Sequence, residues 1–321
     1  MKKENVGNDK LKKFIGEIGN FNPKIIEMNG TSHILVNEDA LKILKLIPNN
    51  FVNLIVTDPP YNIGLDYGVV KDRMKKKEYF EWCKEWLREF ARILKSSGAL
   101  YLISYPEINA YLMPFIDNEL KLRFRRWLTW HYPTNIGHSS RNFTRSQRSI
   151  LFYTKSDEYI FHKQYIIQHY KNPEVKKIQE RLKRGFTGRG SYDLLRFTDI
   201  IELNKKINGE NIIKFLDFIQ KSEGLIDVLD FNLLKNVSKD RVGTKKEGDK
   251  FYHPCQLPLG LISLLMKISS NKGMLVLDPF AGTFTVSAVA ADLCRNSIGI
   301  EKNPYFLELG WERLKSHRGK K

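Results

Sequence analysis

Two short stretches of the chain hold residue types whose spacing could do chemistry. The first is Thr57-Asp58-Pro59-Pro60-Tyr61-Asn62, which follows the apolar run Val52-Asn53-Leu54-Ile55-Val56. Its two prolines stiffen the turn and donate no backbone hydrogen bond. The Asp58 carboxylate and the prolyl carbonyls are then acceptors grouped about one point, and Tyr61 adds a flat aromatic face. That suits an amino group on a planar heterocycle: the acceptors take its N–H bonds and the tyrosine stacks on its ring. A bare Pro-Pro turn over a core tyrosine is the plainer alternative. The second stretch is Leu275-Val276-Leu277-Asp278-Pro279-Phe280-Ala281-Gly282-Thr283, an apolar strand ending in an acid, followed by a glycine turn that opens a helix. This is the layout of a nucleotide-type site at the carboxyl end of a sheet strand. A glycine lets a ligand approach the backbone, because no Cβ intervenes. Glu301 closes the next apolar strand, 23 residues after Asp278. That spacing fits a carboxylate that accepts hydrogen bonds from both hydroxyls of a ribose. An ordinary strand–turn–helix with a surface acid would read the same way.

The elements that must position these residues follow from periodicity. Strands are expected at 32–36, 52–56, 99–103, 124–130, 149–153, 274–277 and 297–300. Between them, helices are expected at 40–47, 78–95, 107–120, 257–269, 286–293 and 304–315. Ala40, Ile43, Leu44 and Ile47 share one helix face after the cap Asn37-Glu38-Asp39, and Phe80, Trp82, Trp86, Leu87, Phe90 and Ile93 recur at helical spacing. Gly98 is expected to end the 78–95 helix. Alternating strands and helices indicate an α/β sheet. The alternation breaks over 157–250, a charged stretch with helical segments at 174–184 and 210–221. The division expected is an amino-terminal arm over 1–31, an α/β half over 32–156, an insert over 157–250 and a second α/β half over 251–321.

Composition narrows the class. The chain has 321 residues, of which 42% are hydrophobic and 12% aromatic, enough for a sizeable core. Lys and Arg number 53 against 36 Asp and Glu, a net charge of +17, which attracts polyanions, nucleic acid first among them. The apolar runs fall short of the roughly 20 residues of a membrane span. Met1-Lys2-Lys3-Glu4-Asn5 is polar, and Cys83, Cys255 and Cys294 show no paired metal spacing. A cytoplasmic, nucleoid-associated protein without membrane contact is the expectation.

With these residues in view, the chain resembles the S-adenosylmethionine-dependent amino methyltransferases of DNA. Asp58-Pro59-Pro60-Tyr61 precedes Asp278-Pro279-Phe280-Ala281-Gly282 with a long insert between them. That order is similar to the beta group of the family, a circular permutation of the usual methyltransferase fold. His253-Pro254-Cys255-Gln256-Leu257-Pro258 resembles the stretch before the cofactor strand in that group, and Asn236-Val237-Ser238-Lys239 is also similar. The resemblance implies a permuted Rossmann-like α/β fold: a mixed seven-stranded sheet with helices on both faces and an inserted, mainly helical target-recognition region.

It also implies roles. Asp58, Pro59, Pro60 and Tyr61 would hold the target base. Asp278, Phe280, Ala281, Gly282 and Thr283 would lie along the methionine part of S-adenosyl-L-methionine, released as S-adenosyl-L-homocysteine, and Glu301 would hold its ribose. Asp39 would contact the adenine of the cofactor, or simply cap a helix. No metal is required. The family's glycine turn usually reads Phe-x-Gly-x-Gly, and Phe284 stands at the second glycine. A shifted helix start or a weakened cofactor site is the expectation there.

The implied partner is double-stranded DNA, with Arg141, Arg145, Arg148, Lys183, Arg184 and Arg189 gripping phosphates. A solvated basic turn would explain Lys183-Arg184 as well. The Asp-Pro-Pro-Tyr form points to N6 of adenine, with N4 of cytosine as the alternative. RNA or protein amide substrates, and a degenerate DNA-binding protein without activity, are the further alternatives. A cognate restriction endonuclease and a homodimer complete the expected partners.

Overall fold

Periodicity becomes layers in the computed structural model, which describes residues 4–64, 73–131, 141–143, 147–170, 172–190, 194–195 and 256–317. The first part of the chain forms α1 (Glu4–Glu17), β1 (Lys24–Met28), β2 (Thr31–Asn37), α2 (Ala40–Leu46), β3 (Val52–Thr57) and α3 (Lys76–Ile93). It continues through β4 (Leu94–Ser104), α4 (Pro106–Asn118), β5 (Arg123–His131) and β6 (Gln147–Thr154). Next come β7 (Ile167–His169), α5 (Lys176–Lys183), β8 (Gly188–Gly190) and β9 (Leu194–Leu195). The last described part forms α6 (Leu259–Ser269), β10 (Leu275–Asp278), α7 (Thr285–Asp292), β11 (Asn296–Glu301) and α8 (Pro304–His317). Most of the expected insert, including the helix expected at 210–221, lies outside the described residues, as do Asn236–Lys239 and His253–Cys255.

Nine strands make one sheet in the order β1-β2-β11-β10-β3-β4-β6-β5-β9, and β7 pairs with β8 separately. All seven strands expected from the sequence are present, with β1 and β9 added at the two edges. The central strands β2, β11, β10, β3 and β4 run parallel, and β6 is antiparallel to both β4 and β5. The strands of the carboxyl-terminal part, β10 and β11, sit between β2 and β3.

Every residue of β3 and of β10 is buried, as expected of parallel strands covered on both faces. Successive residues feed opposite cores. Ile55, Leu100 and Leu102 pack with Ile43, Trp86 and Phe115 of α2, α3 and α4. Leu54, Val56, Tyr101 and Ile103 pack with Leu261, Leu265 and Val289 of α6 and α7 on the other side. No helix among the described residues is long and apolar enough to cross a membrane.

Three local features go beyond what the spacing indicated. The amino-terminal stretch packs on the body of the fold: Leu11 and Phe14 of α1 are buried in the main core, and β1 joins the sheet. The signal for β1 was Asn29-Gly30, whose φ values of 52° and 74° make the two-residue turn that matches strand twist. Gly98 does not end a helix. The α3 helix stops at Ile93, and Gly98 lies within β4, where a Cβ would meet the Leu94 side chain at 2.8 Å.

Phe284 is the third. The helix α7 starts directly after it, and its φ of 58° and ψ of 39° are the left-handed values a glycine would reach freely. Its ring is fully buried and turned toward β11 and α8, where two glycines make room for it. A Cβ on Gly299 would lie 2.6 Å from that ring, and one on Gly310 would lie 2.2 Å from it. Gly310→Ala is therefore expected to overpack this core and lower stability by about 1–3 kcal/mol, read as a fall in the chemical-denaturation midpoint. An unchanged midpoint would contradict the slot.

Candidate active site

Parallel strands deliver their carboxyl ends to one edge of the sheet. From β10 the chain proceeds through α7 to β11 on one side, and from β3 through α3 to β4 on the other. The crossover helices α7 and α3 pack on opposite faces, so the β10–β3 boundary is a topological switch point, where a crevice opens. The crevice encloses about 1070 Å³ with its open mouth included. Its walls bring together residues 58–61, Asp39, Asp278, Phe280, Ala281, Thr283 and Glu301, which come from four separate strand ends in the sequence. Gly282 does not appear among the wall residues, but its N–H donates to Glu301 Oε2 at 2.9 Å.

Asp58 follows β3 and is almost fully enclosed. Burial pushes its carboxyl up to about 6, while the Arg148 charge and the Tyr61 hydroxyl act the other way. The Tyr61 hydroxyl donates to Asp58 Oδ1, and Arg148 Nη1 donates to that hydroxyl and lies 3.5 Å from Asp58 Oδ2. Tyr79 of α3 donates to the Pro60 carbonyl at 2.8 Å, fixing the Pro-Pro turn against the helix.

Asp278 ends β10 and accepts from Thr57 Oγ1 at 2.9 Å and from the Phe280 N–H at 3.1 Å. Burial pushes it up to about 7, helped by the neighbouring Asp58 and Glu301 charges. Burial likewise raises Glu301 to about 7, against the backbone N–H groups of Asn303, Gly282 and Lys302. Asp39 caps α2 through the Leu41 N–H at 3.0 Å and meets Lys302 Nζ at 3.1 Å, so it is both a cap and a wall of the crevice. Phe280 rests edge-on against Trp82 and Trp86, with centroids 5.5 and 5.7 Å away.

Sequence reasoning missed several walls, Met74, Trp82 and Lys302 among them, while Gln256 and Leu257 come from the stretch singled out before the cofactor strand. Trp82 carried the signal of a core residue on an apolar helix face, and nothing in its spacing marked it for a ligand. Phe284, by contrast, is absent from the crevice walls.

A comparison with known families decides what this crevice belongs to: the DNA methylase profile matches residues 52–312, most of the chain. The chain is a DNA methylase. It is 29% identical over 282 residues to the type II methyltransferase M.HpaI of Haemophilus parainfluenzae, covering 88% of this chain and 74% of that one. It is 28% identical over 283 residues to the DNA adenine methyltransferase YhdJ of Escherichia coli, covering 87% and 82%. Among solved structures, the cytosine-N4-specific PvuII DNA methyltransferase superposes with a TM-score of 0.57 at 15% identity, covering 88% and 86%. The M1.HpyAVI–SAM complex superposes with a TM-score of 0.52 at 18% identity, covering 88% and 98%. These two likenesses establish the fold of the DNA methylase.

The cations expected on DNA phosphates divide. Lys183, Arg184 and Arg189 are exposed, at the end of α5 and in β8, and Arg141 is exposed too. Arg145 lies outside the described residues. Arg148 is placed otherwise than expected: it is 6% exposed and enclosed by Tyr61, Tyr105 and Trp130, with guanidinium-to-centroid distances of 5.0, 5.5 and 5.9 Å. The reason is topological. Antiparallel β6 begins where parallel β4 ends, and its second residue, Arg148, lies against the Asp58 turn instead of in solvent.

Proposed function

We propose that this DNA methylase moves a methyl group from S-adenosyl-L-methionine to the exocyclic amine of a base flipped out of double-stranded DNA, N6 of adenine. The carrying observation is that the Asp58 turn and the Asp278–Glu301 element wall one crevice.

The crevice fits the cofactor on its own chemistry. The buried Asp278 and the half-buried Glu301 suit a ligand with sulfonium and ammonium charges. The buried Thr283 Oγ1 has no hydrogen-bond partner among the described residues, so a ligand atom can supply one. Glu301 would hold the ribose hydroxyls and Asp39 the adenine side. Asp278, Phe280, Ala281, Gly282 and Thr283 would line the methionine part. Phe284 turns its ring away from the crevice and keeps the backbone a glycine would give, which supports an active enzyme over a degenerate one.

When bound, the cofactor supplies a methyl group whose bond to positive sulfur breaks as the bond to nitrogen forms. Asp58 accepts one N–H of the amine. The Pro59 carbonyl accepts the other, since Tyr79 already occupies that of Pro60. Both bonds draw the nitrogen out of conjugation and aim its lone pair. The methylated nitrogen then sheds a proton to Asp58 or to water. Extrusion of the base costs a few kcal/mol, offset by stacking and by phosphate contacts from Arg141, Lys183, Arg184 and Arg189.

Adenine is favoured by the Asp-Pro-Pro-Tyr turn and by the likeness to YhdJ across most of both chains. N4 of cytosine is the second reading, because it too presents an amine beside a ring nitrogen. We extend the reading to the 157–250 segment as the target-recognition region, to action on chromosomal DNA in the cytoplasm, to a restriction endonuclease of the same site, and to a homodimer.

The test incubates the protein with unmethylated genomic DNA and the methyl donor, digests to nucleosides and measures them by mass spectrometry. N6-methyladenine is expected. N4-methylcytosine would overturn the base assignment, and the absence of both would overturn DNA as the substrate.

A further inference from the structure

We propose that Arg148 is a positioning residue for the transfer step: its guanidinium braces the Asp58 carboxylate and the Tyr61 hydroxyl from behind the crevice. This rests on the reading above.

The geometry separates Arg148 from the surface cations. One nitrogen, Nη1, reaches both the Tyr61 hydroxyl and Asp58 Oδ2, and Tyr61 in turn donates to Asp58 Oδ1. The three groups therefore close a ring, and Asp58 and Tyr61 wall the crevice whereas Arg148 does not. The guanidinium is held from three sides. Tyr61 belongs to the turn itself, Tyr105 starts α4, and Trp130 is the cross-strand partner of Arg148 on β5. Tyr105 also packs on Tyr61 with ring centroids 4.6 Å apart, so the phenol cannot rotate without disturbing the box. A buried cation so enclosed is costly unless its charge is used, and a planar, permanently charged fork is suited to holding a carboxylate in one orientation.

The charged and titratable groups facing Asp58 can be named. Arg148 approaches from β6 and Tyr61 from the turn, with Tyr105, the residue before α4, behind it. Tyr79 of α3 holds the Pro60 carbonyl. Asp278, at the end of β10, is close enough for the two acids to repel. Arg148 thus opposes burial, which favours the protonated form of Asp58. A protonated Asp58 presents an O–H to the amine where an acceptor is needed.

The test is a carbon-13 NMR titration of carboxyl-labelled full-length protein, with Asp58→Asn assigning the resonance. In Arg148→Met the Asp58 midpoint is expected at least one pH unit above that of the wild type, and in Arg148→Lys near the wild-type value. Single-turnover transfer by Arg148→Met should fall at least tenfold at pH 6.5, with the deficit narrowing as pH rises. An unmoved Asp58 midpoint overturns the proposal, as does a deficit of equal size at every pH. Should Arg148→Met not fold, Arg148→Gln serves in its place. Because the titration needs no turnover, it judges Arg148 even if the wild type fails to methylate DNA.

Discussion

Replacing Asp58 with alanine is expected to lower methyl transfer by about 10³-fold or more, with cofactor affinity nearly unchanged. The amine nitrogen is a poor nucleophile while its lone pair is spread into the ring, and in the proposed mechanism Asp58 supplies the acceptor that localises it. The carboxylate sits with the target-base turn, whereas the expected cofactor contacts come from β2, β10, β11 and the turns after them. Loss of Asp58 also removes a negative neighbour that pushes Asp278 up, so the cofactor half loses a repulsion and no bond. Single-turnover transfer of a labelled methyl group, paired with calorimetric titration of the donor, separates the two effects. Retained turnover in the variant would end the mechanism, and lost donor binding would move Asp58 into the cofactor site.

The second large effect is on pH. Asp278 and Glu301 are each pushed up to about 7 by burial, and Asp58 to about 6. If the donor's sulfonium and ammonium groups face Asp278 and Glu301, as proposed, it binds their ionised forms, and its affinity should fall as pH drops through 7. The fall approaches about tenfold per pH unit for each proton that must leave. Calorimetry in two buffers of different ionisation enthalpy should register proton release on binding near pH 7. The ligand-free protein should behave in the opposite sense. A carboxyl raised in the folded state holds protons that the unfolded chain has lost, so its contribution to stability is full below pH 4 and disappears as pH rises through 7. Glu301→Gln removes one such group, and its stability relative to the wild type should therefore climb between pH 5 and pH 8. Donor affinity that stays level from pH 8 to pH 6 would show that these acids do not face its charge.

The sequence made the strand ends legible and hid what lies between them. Asp58, Asp278 and Glu301 each close an apolar run, and a parallel sheet must then gather them. Arg148 was legible only as a charge among arginines. Its burial depends on the antiparallel placement of β6, and no local spacing encodes that. Phe284 carried the opposite difficulty. Its position against the family's glycine suggested damage, but the side chain's direction is decided by Gly299 and Gly310, which lie on other elements. The strand β1 was missed although Asn29-Gly30 marked the hairpin, because the alternating charges before it masked a short apolar run.

The placement of β10 and β11 between β2 and β3 has a consequence for how the protein comes to exist. His33 and Ser297 touch across 264 positions of chain, so the sheet's interior seam closes from its two distant parts. A ribosome delivers β2, β3 and β4 early, with the slots for β10 and β11 still open between β2 and β3. Until those last strands emerge, buried-type edges are exposed and the crevice lacks the walls that β10 and β11 supply. Long-range pairing of this kind slows folding and leaves nascent chains prone to stick. The strands β10 and β11 thus act as a keystone: the sheet is not continuous until synthesis has passed Glu301.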